Sequence, residues 1–520
     1  MSESTWFVIA IVIYLLVMVG IGWWGYKQTS DHEDFTVGGR GLPPFVAALS
    51  AGAADMSGWL LMGLPGALYV SGFSQLWMVI GLLAGAFCNW LFVAPKLRAY
   101  SEISGNSITI PSFFESRTRD RSHVNRIVAA SIIIFFFVFY VSSGMVSSGR
   151  YWEATFNGNY LTGVLIIAAV TIFYTFVGGF LAVSYTDAVQ GMIMFFALLI
   201  VPVMAIFTLD HPGDIFTYAT SHAYGPWPQG NSNYYNLFFG VSAVAIISNL
   251  AWGLGYFGQP HVLVRFLALR TPQEAKSGRR WAVSWMTLSM IGAVFVAMIG
   301  TVFFAQKPQY HVTDQQHYET VFLDMARILF HPLIAGLILT AVLAAIMSTM
   351  SSQLLVISSS LVEDIYRAFK KERPSDAKLM WLSRGCVIVV ALIALAMSIH
   401  PSDSILGLVA FAWAGFGAAF GPVVLASLYW KRLTSQGALA GMIVGAVITV
   451  FWGANKFFDL YELVPGAIAA TIALVIVSLM TKVPAEVATE FDEASELSEL
   501  AAKNEDVDFA TEAAKIRDKA

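Results

Sequence analysis

The sequence predicts an all-α polytopic membrane protein, and three observations carry that prediction. Hydrophobic residues make up 57% of the 520 residues and charged residues only 12%, against about 25% charged in soluble domains. About thirteen apolar segments reach spanning length: 6–26, 44–70, 73–95, 127–149, 160–180, 184–208, 233–260, 281–305, 329–360, 381–399, 404–430, 436–455 and 460–481. The bases alternate with them. With the N-terminus outside, 26 Lys and Arg fall on the cytoplasmic side, Arg265, Lys371 and Arg373 among them, and 4 outside (Arg150, Lys307, Arg327, Lys456), the asymmetry that orients membrane proteins.

Each end reads simply. The first apolar run, Trp6 to Trp24, has Glu3 before it and no base before Lys27. A signal peptide carries a positive start and a small-residue cleavage site, so this run reads as a retained first helix. The transmembrane domain is expected over 1–482 and an acidic cytoplasmic tail over 483–520. From Pro484 the tail holds eleven acids against four bases and shows no strong apolar face. It reads as solvated, partly disordered or loosely helical. The connector 209–232 is rich in turn residues, carries no Lys or Arg, and reads as an outer loop. Cys88 and Cys386 fall in apolar runs without metal-ligand spacing and read as buried thiols.

One carboxylate breaks the pattern. Asp55 is the only Asp, Glu, Lys, Arg or His between Arg40 and Lys96. At mid-membrane depth it costs roughly 2.5–3.5 kcal/mol on insertion scales, and a bound cation is the obvious compensation. Its segment, 44–70, is interrupted by Gly52, Gly58, Gly63, Pro65 and Gly66. The segment 233–260 ends in a second glycine-rich run, Gly253 to Pro260. These are the second and seventh helices, so helices 2–6 and 7–11 form two halves of opposite topology. Paired interrupted helices in two inverted halves point to a transporter's central site. An unwound turn survives in a membrane only where it lines a cavity or finds partners; its freed carbonyls coordinate cations and the half-helix N-terminus holds anions. Close helix packing is the other use of such glycines.

A third polar cluster lies in 329–360, with Ser348 and Thr349 near its middle. Hydroxyls in helices often bond only their own backbone. Two hydroxyls and three backbone carbonyls also make a neutral five-oxygen cage, suited to a monovalent ion that must leave again. A divalent site would recruit several carboxylates.

These residues carry a resemblance. The motifs are Phe35 to Arg40 (Phe-Thr-Val-Gly-Gly-Arg), Ser50 to Gly66 around Asp55, Gly178 to Asp187 (Gly-Gly-Phe-Leu-Ala-Val-Ser-Tyr-Thr-Asp), Gly253 to His261 (Gly-Leu-Gly-Tyr-Phe-Gly-Gln-Pro-His) and Leu343 to Thr349. The chain resembles the solute:sodium symporter family over about 5–480, and within it the proline-carrying branch. The resemblance implies a leucine-transporter-type core of five plus five inverted helices, with one helix before and two after. It implies a sodium site from the backbone of Ala53, Met56 and Ala345 and the hydroxyls of Ser348 and Thr349, with Asp55 as the carboxylate required for coupling. It places Ser57, Gly58, Tyr140, Trp252, Tyr256 and Pro260 at the proline site. Asp187 matches an acid with a role in ion release; a capped acid near the membrane boundary is the other reading.

L-Proline is a small zwitterion with an apolar ring. Tyr140, Trp252 and Tyr256 offer it an aromatic wall, and half-helix amides near Ser57 and Gly58 offer donors to its carboxylate. Its ammonium can meet freed carbonyls, a Tyr face or Asp55. The expected activity is sodium-coupled proline uptake by alternating access in a bacterial inner membrane. The alternative is a sodium- or proton-coupled symporter of pantothenate, a monocarboxylate such as acetate, or a sugar. The sequence holds no His-Glu-x-x-His, Gly-x-Ser-x-Gly or Walker loop, so an enzyme is not expected. No cofactor beyond sodium as coupling ion, no nucleic acid and no protein partner are expected.

Overall fold

The computed structural model describes residues 2–29, 31–238, 240–307, 318–370, 374–400, 404–503 and 508–519. Lys371, Arg373 and tail residues 504–507 and 520 lie outside them. The described chain is helical, with two isolated bridges, Leu42 to Leu269 and Tyr224 to Trp227. Among the described residues, ten helices are long and apolar enough to cross a membrane, and Tyr160–Phe176 and Ala243–Gly258 are shorter apolar helices. Length and composition therefore do not reproduce the count of thirteen. The outward faces stay apolar, as at Phe173, Val447, Phe451 and Ile472, because lipid rather than water meets them.

The breaks in the helices have local causes, and some boundaries differ from expectation. The split between 160–180 and 184–208 falls at Gly179, which takes φ 65°, ψ −173° inside an otherwise helical Tyr160–Ile206. A Cβ there would lie 2.9 Å from the Phe35 ring, so glycine serves both the conformation and the contact. The expected 233–260 begins and ends too early. Its helix starts at Ala243, passes through a 3-10 stretch, Trp252–Gly258, and resumes as Pro260–Leu267. Pro260 opens the second half-helix rather than closing the first, a position that suits its fixed φ and missing N–H.

The other broken helix runs Pro44–Asp55, turns at Met56 (φ −86°, ψ 77°), and resumes through a π-turn, Trp59–Gly63, into Leu64–Ser71. Pro44–Asp55 packs against Pro260–Leu267, Pro332–Ser359 and Tyr160–Ile206. The first break thus sits inside the protein; in the second, Trp252, Gly253, Gly255, Tyr256 and Gly258 are buried while Leu254 stays exposed. Glycines permit the closest approaches: a Cβ on Gly253 would lie 2.0 Å from the Gly81 carbonyl, and one on Gly85 2.1 Å from that of Gly253.

Two further expectations are corrected. The tail is not simply solvated: it forms Ala485–Lys503 and Phe509–Lys519. Val487, Ala494, Leu497 and Ala501 recur at helical spacing and are buried. The first tail helix packs on Ala94–Ile103. Phe491 lies beside the Tyr100 ring and under the Arg117 guanidinium, 5.3 Å away, and Glu490 pairs with Arg119. The alanines carry little hydropathy, so the surplus of acids hid this face. Cys88 and Cys386 are half-buried free thiols rather than fully buried ones.

Candidate functional site

The unwound turn of the first broken helix is held by its own groups and its neighbours. Met56 N–H donates to Gly52 O and Ser57 N–H to Asp55 O. The Asp55 carbonyl also accepts from Trp59 Nε1 and the Tyr140 hydroxyl, both at 3.2 Å. The Ser57 hydroxyl accepts from Trp59 N–H at 3.4 Å. Gly58 is tight, since a Cβ would lie 3.0 Å from Ser147 and 3.3 Å from Ile346. The second break is satisfied by side chains. Gln259 donates to the Gly255 and Trp413 carbonyls, Asn89 to Tyr256 O, and Trp413 Nε1 to Trp252 O. Such substitutes for lost helical bonds are what irregular backbone at membrane depth demands.

The two hydroxyls of the third cluster reach the first break. Ser348 Oγ lies 2.8 Å from Ala53 O and 3.1 Å from Ala345 O, and Thr349 Oγ1 lies 3.3 Å from Ala53 O. Four of the five expected oxygens are therefore neighbours, contributed by Pro44–Asp55 and Pro332–Ser359. The fifth, on Met56, belongs to the adjoining turn. Ser348 bonds its own helix, as isolated serines do, but also crosses to the other. Neutral hydroxyl and carbonyl oxygens of this kind suit a weakly held monovalent cation.

Asp55 is 1% exposed. Its Oδ2 accepts a hydrogen bond from the Tyr256 hydroxyl, while Oδ1 has no hydrogen-bond partner among the described residues. The carboxylate thus joins the first break to the second. Tyr140 and Tyr256 converge on this one residue. Trp252 does not: its ring stacks on Tyr461 (5.4 Å) and Trp413 (6.4 Å). Trp413 in turn meets Tyr256 edge-on at 5.0 Å. Pro260 lines a small cavity with Thr109, Phe180 and Ser359.

Asp187 is fully buried, well away from the capped loop position its alternative reading supposed. It accepts from Ser50 Oγ (2.9 Å), Ser352 Oγ (3.0 Å) and Arg265 Nη2 (3.1 Å). Arg265, counted from sequence among the cytoplasmic bases, is 1% exposed and also bonds Ser50 and the His261 carbonyl. Sequence reasoning missed Arg265 because the helix was ended at Pro260. It missed Trp413 because an aromatic in an apolar run carries no signal of its own. The proline and glycine spacing of the second break was the clue to the half-helix that holds Arg265.

Two interrupted helices meeting at a buried carboxylate are the arrangement found in secondary transporters, and the fold is of the leucine-transporter type. Among solved structures, a Na+-coupled sialic acid symporter in a substrate-bound outward-open state shares the fold, with TM-score 0.78 and 21% identity over 92% of this chain and 98% of that one. The chain belongs to the sodium:solute symporter family, whose family model matches residues 35–445. It is 49% identical to the osmoregulated proline transporter OpuE of Bacillus subtilis, covering 92% of this chain and 96% of that protein. It is 47% identical to the sodium/proline symporter of Salmonella typhimurium, covering 93% and 95%. It is a multi-pass membrane protein.

Proposed function

We propose that this chain takes up L-proline together with sodium by alternating access, acting as a transporter and not an enzyme. The observation that carries the reading is the convergence of Ser348 and Thr349 on the Ala53 carbonyl, two residues before Asp55, in a chain nearly half identical to proline transporters. Sodium takes the oxygens of Ala53, Met56, Ala345, Ser348 and Thr349. The Ser348 and Thr349 hydroxyls then turn their lone pairs toward the ion instead of donating to Ala53. Asp55 offsets the charge and holds the turn. The ion ties Pro44–Asp55 to Pro332–Ser359.

That tie shapes the neighbouring turn for proline. The amides near Ser57 and Gly58, at the start of the second half-helix, face the carboxylate. Tyr140 and Tyr256 wall the ring, and Trp252 supports Tyr256 through Trp413. Pro260 sets the direction of the half-helix below. Asp187, held by Arg265, Ser50 and Ser352, lies on the release route and receives the ion when those bonds open. Sodium and proline then favour the same conformation, which is the whole of the coupling. The N-terminus is outside and the C-terminus cytoplasmic, in a bacterial inner membrane, as the distribution of bases supports. One sodium per zwitterion makes the cycle electrogenic, worth about 2.3 kcal/mol per 100 mV.

The test is radiolabelled proline uptake into proteoliposomes under an imposed sodium gradient. Uptake that needs the gradient and is not competed by pantothenate, acetate or sugar is expected. Uptake driven equally by a pH jump without sodium, or no proline uptake at all, overturns the reading.

A further inference from the structure

A second cavity, of about 390 Å³, lies away from the transport site. It forms where Ala94–Ile103, the start of Glu274–Ala305, the end of Ile405–Tyr429 and the tail helix meet. Lys96, Lys276 and Arg279 line it, with Glu499 the one acid among the lining residues. Among the described lining residues, the balance is three cations against one carboxylate.

These bases differ from those that merely flank a membrane helix. Lys96 comes from Ala94–Ile103, and Lys276 and Arg279 from Glu274–Ala305, at least 180 positions further on; all three line one concavity. The Lys96 ammonium sits 4.3 Å over the Tyr429 ring, and the Arg279 guanidinium 5.4 Å over Phe87. Arg279 forms no ion pair among the described residues. Lys276 and Arg279 occupy the turns immediately before the apolar run that begins at Trp281. The cavity therefore sits at the boundary between bases and apolar surface. Phe92, which also lines it, is 47% exposed and Phe87 42% exposed.

A cationic cavity with an exposed apolar rim matches an amphiphile. A free anion would gain nothing from the aromatic rim, while basic pockets between membrane helices suit anionic headgroups and aromatic rings suit the interface beneath them. We propose that this cavity binds the phosphate of an anionic phospholipid, with the acyl chains lying along the exposed surface at Phe87 and Phe92. The site is independent of which solute the chain carries. The lipid clamps the first turns of Glu274–Ala305 to Ala94–Ile103 and to the tail helix packed there.

Native mass spectrometry of the purified full-length protein tests it, with phosphatidylglycerol or phosphatidylcholine of matched acyl chains added. Retention of phosphatidylglycerol over phosphatidylcholine is expected. At about fivefold per base, K276Q/R279Q weakens that retention about 25-fold. Arg279→Lys, with Lys276 intact, keeps it, and Arg280→Gln, outside the lining, leaves it unchanged. Should the double variant not fold, Lys96→Gln and Arg279→Gln singly carry the same test, each at about fivefold. Equal retention of the two lipids, or unchanged retention in the lining variants, overturns the proposal. Displacement by millimolar glycerol phosphate does so too, since it makes the site one for a soluble phosphate.

Discussion

The Tyr256 hydroxyl donates a hydrogen bond to the Asp55 carboxylate, joining the two broken helices across 201 positions of sequence. Each break contributes one partner, so neither half of the protein can alter its unwound turn without disturbing the other. The buried carboxylate that looked costly in sequence is also a structural link between the halves that must move during transport.

Tyr256→Phe keeps the ring and removes that link. Both Asp55 carboxylate oxygens then lack a hydrogen bond from the described residues, a loss of about 1–3 kcal/mol. Sodium-driven proline uptake is expected to fall about 10- to 100-fold. Asp55→Asn should cost less in the Tyr256→Phe background than in the unaltered protein, as a double-mutant cycle of initial uptake rates reads directly.

Ser348→Ala and Thr349→Ala each take one hydroxyl from the oxygen cluster at Ala53. Losing one contact to a charged partner is worth about 1.5–3 kcal/mol. The sodium concentration for half-maximal uptake should rise about tenfold or more, while Thr349→Ser stays near the unaltered value. A sodium titration of uptake at saturating proline checks this.

Asp187 and Arg265 are a buried ion pair. Removing either partner strands the other charge, at about 3–5 kcal/mol. Asp187→Asn or Arg265→Gln alone should lower the thermal unfolding midpoint in detergent. The double variant should lose less than the sum of the two.

Gly253→Ala places a methyl 2.0 Å from the Gly81 carbonyl. The second broken helix must then part from Leu76–Cys88, an overpacking cost of about 1–3 kcal/mol or more. Lower thermal stability and lost uptake are expected. Gly385→Ala, whose added methyl meets nothing within 4 Å, should change neither.

Signals that arise within one segment were readable in advance. A lone carboxylate in a glycine-rich apolar run marked the first break. The Gly-Tyr-Phe-Gly-Gln-Pro run marked the second, and adjacent hydroxyls in an apolar helix marked Ser348 and Thr349. Each is visible because burial of a polar group or interruption of a helix costs energy locally. Gly179 was readable for the same reason. The tail was not: its alanine-rich stripe is weakly apolar and needs the surface around Tyr100 and Arg117 to bury it. Arg98, Arg117 and Arg265 counted as ordinary loop bases, yet they are buried, because hydropathy assigns a base to water without knowing whether carbonyls or a carboxylate await it.

By itself, then, the sequence determined that this chain spans a membrane, that two of its helices are interrupted, and where a cation site is expected. Those properties follow from the cost of polar groups in lipid, which each segment bears alone. Only the tertiary structure decided the partners: Ser348 with Ala53 across 295 positions, Tyr256 with Asp55 across 201, and Arg265 with Asp187 across 78. A hydrogen bond extends about 3 Å, so which donor meets which acceptor depends on how helices cross, and that geometry is written in the packing of the whole chain rather than in any one stretch of it.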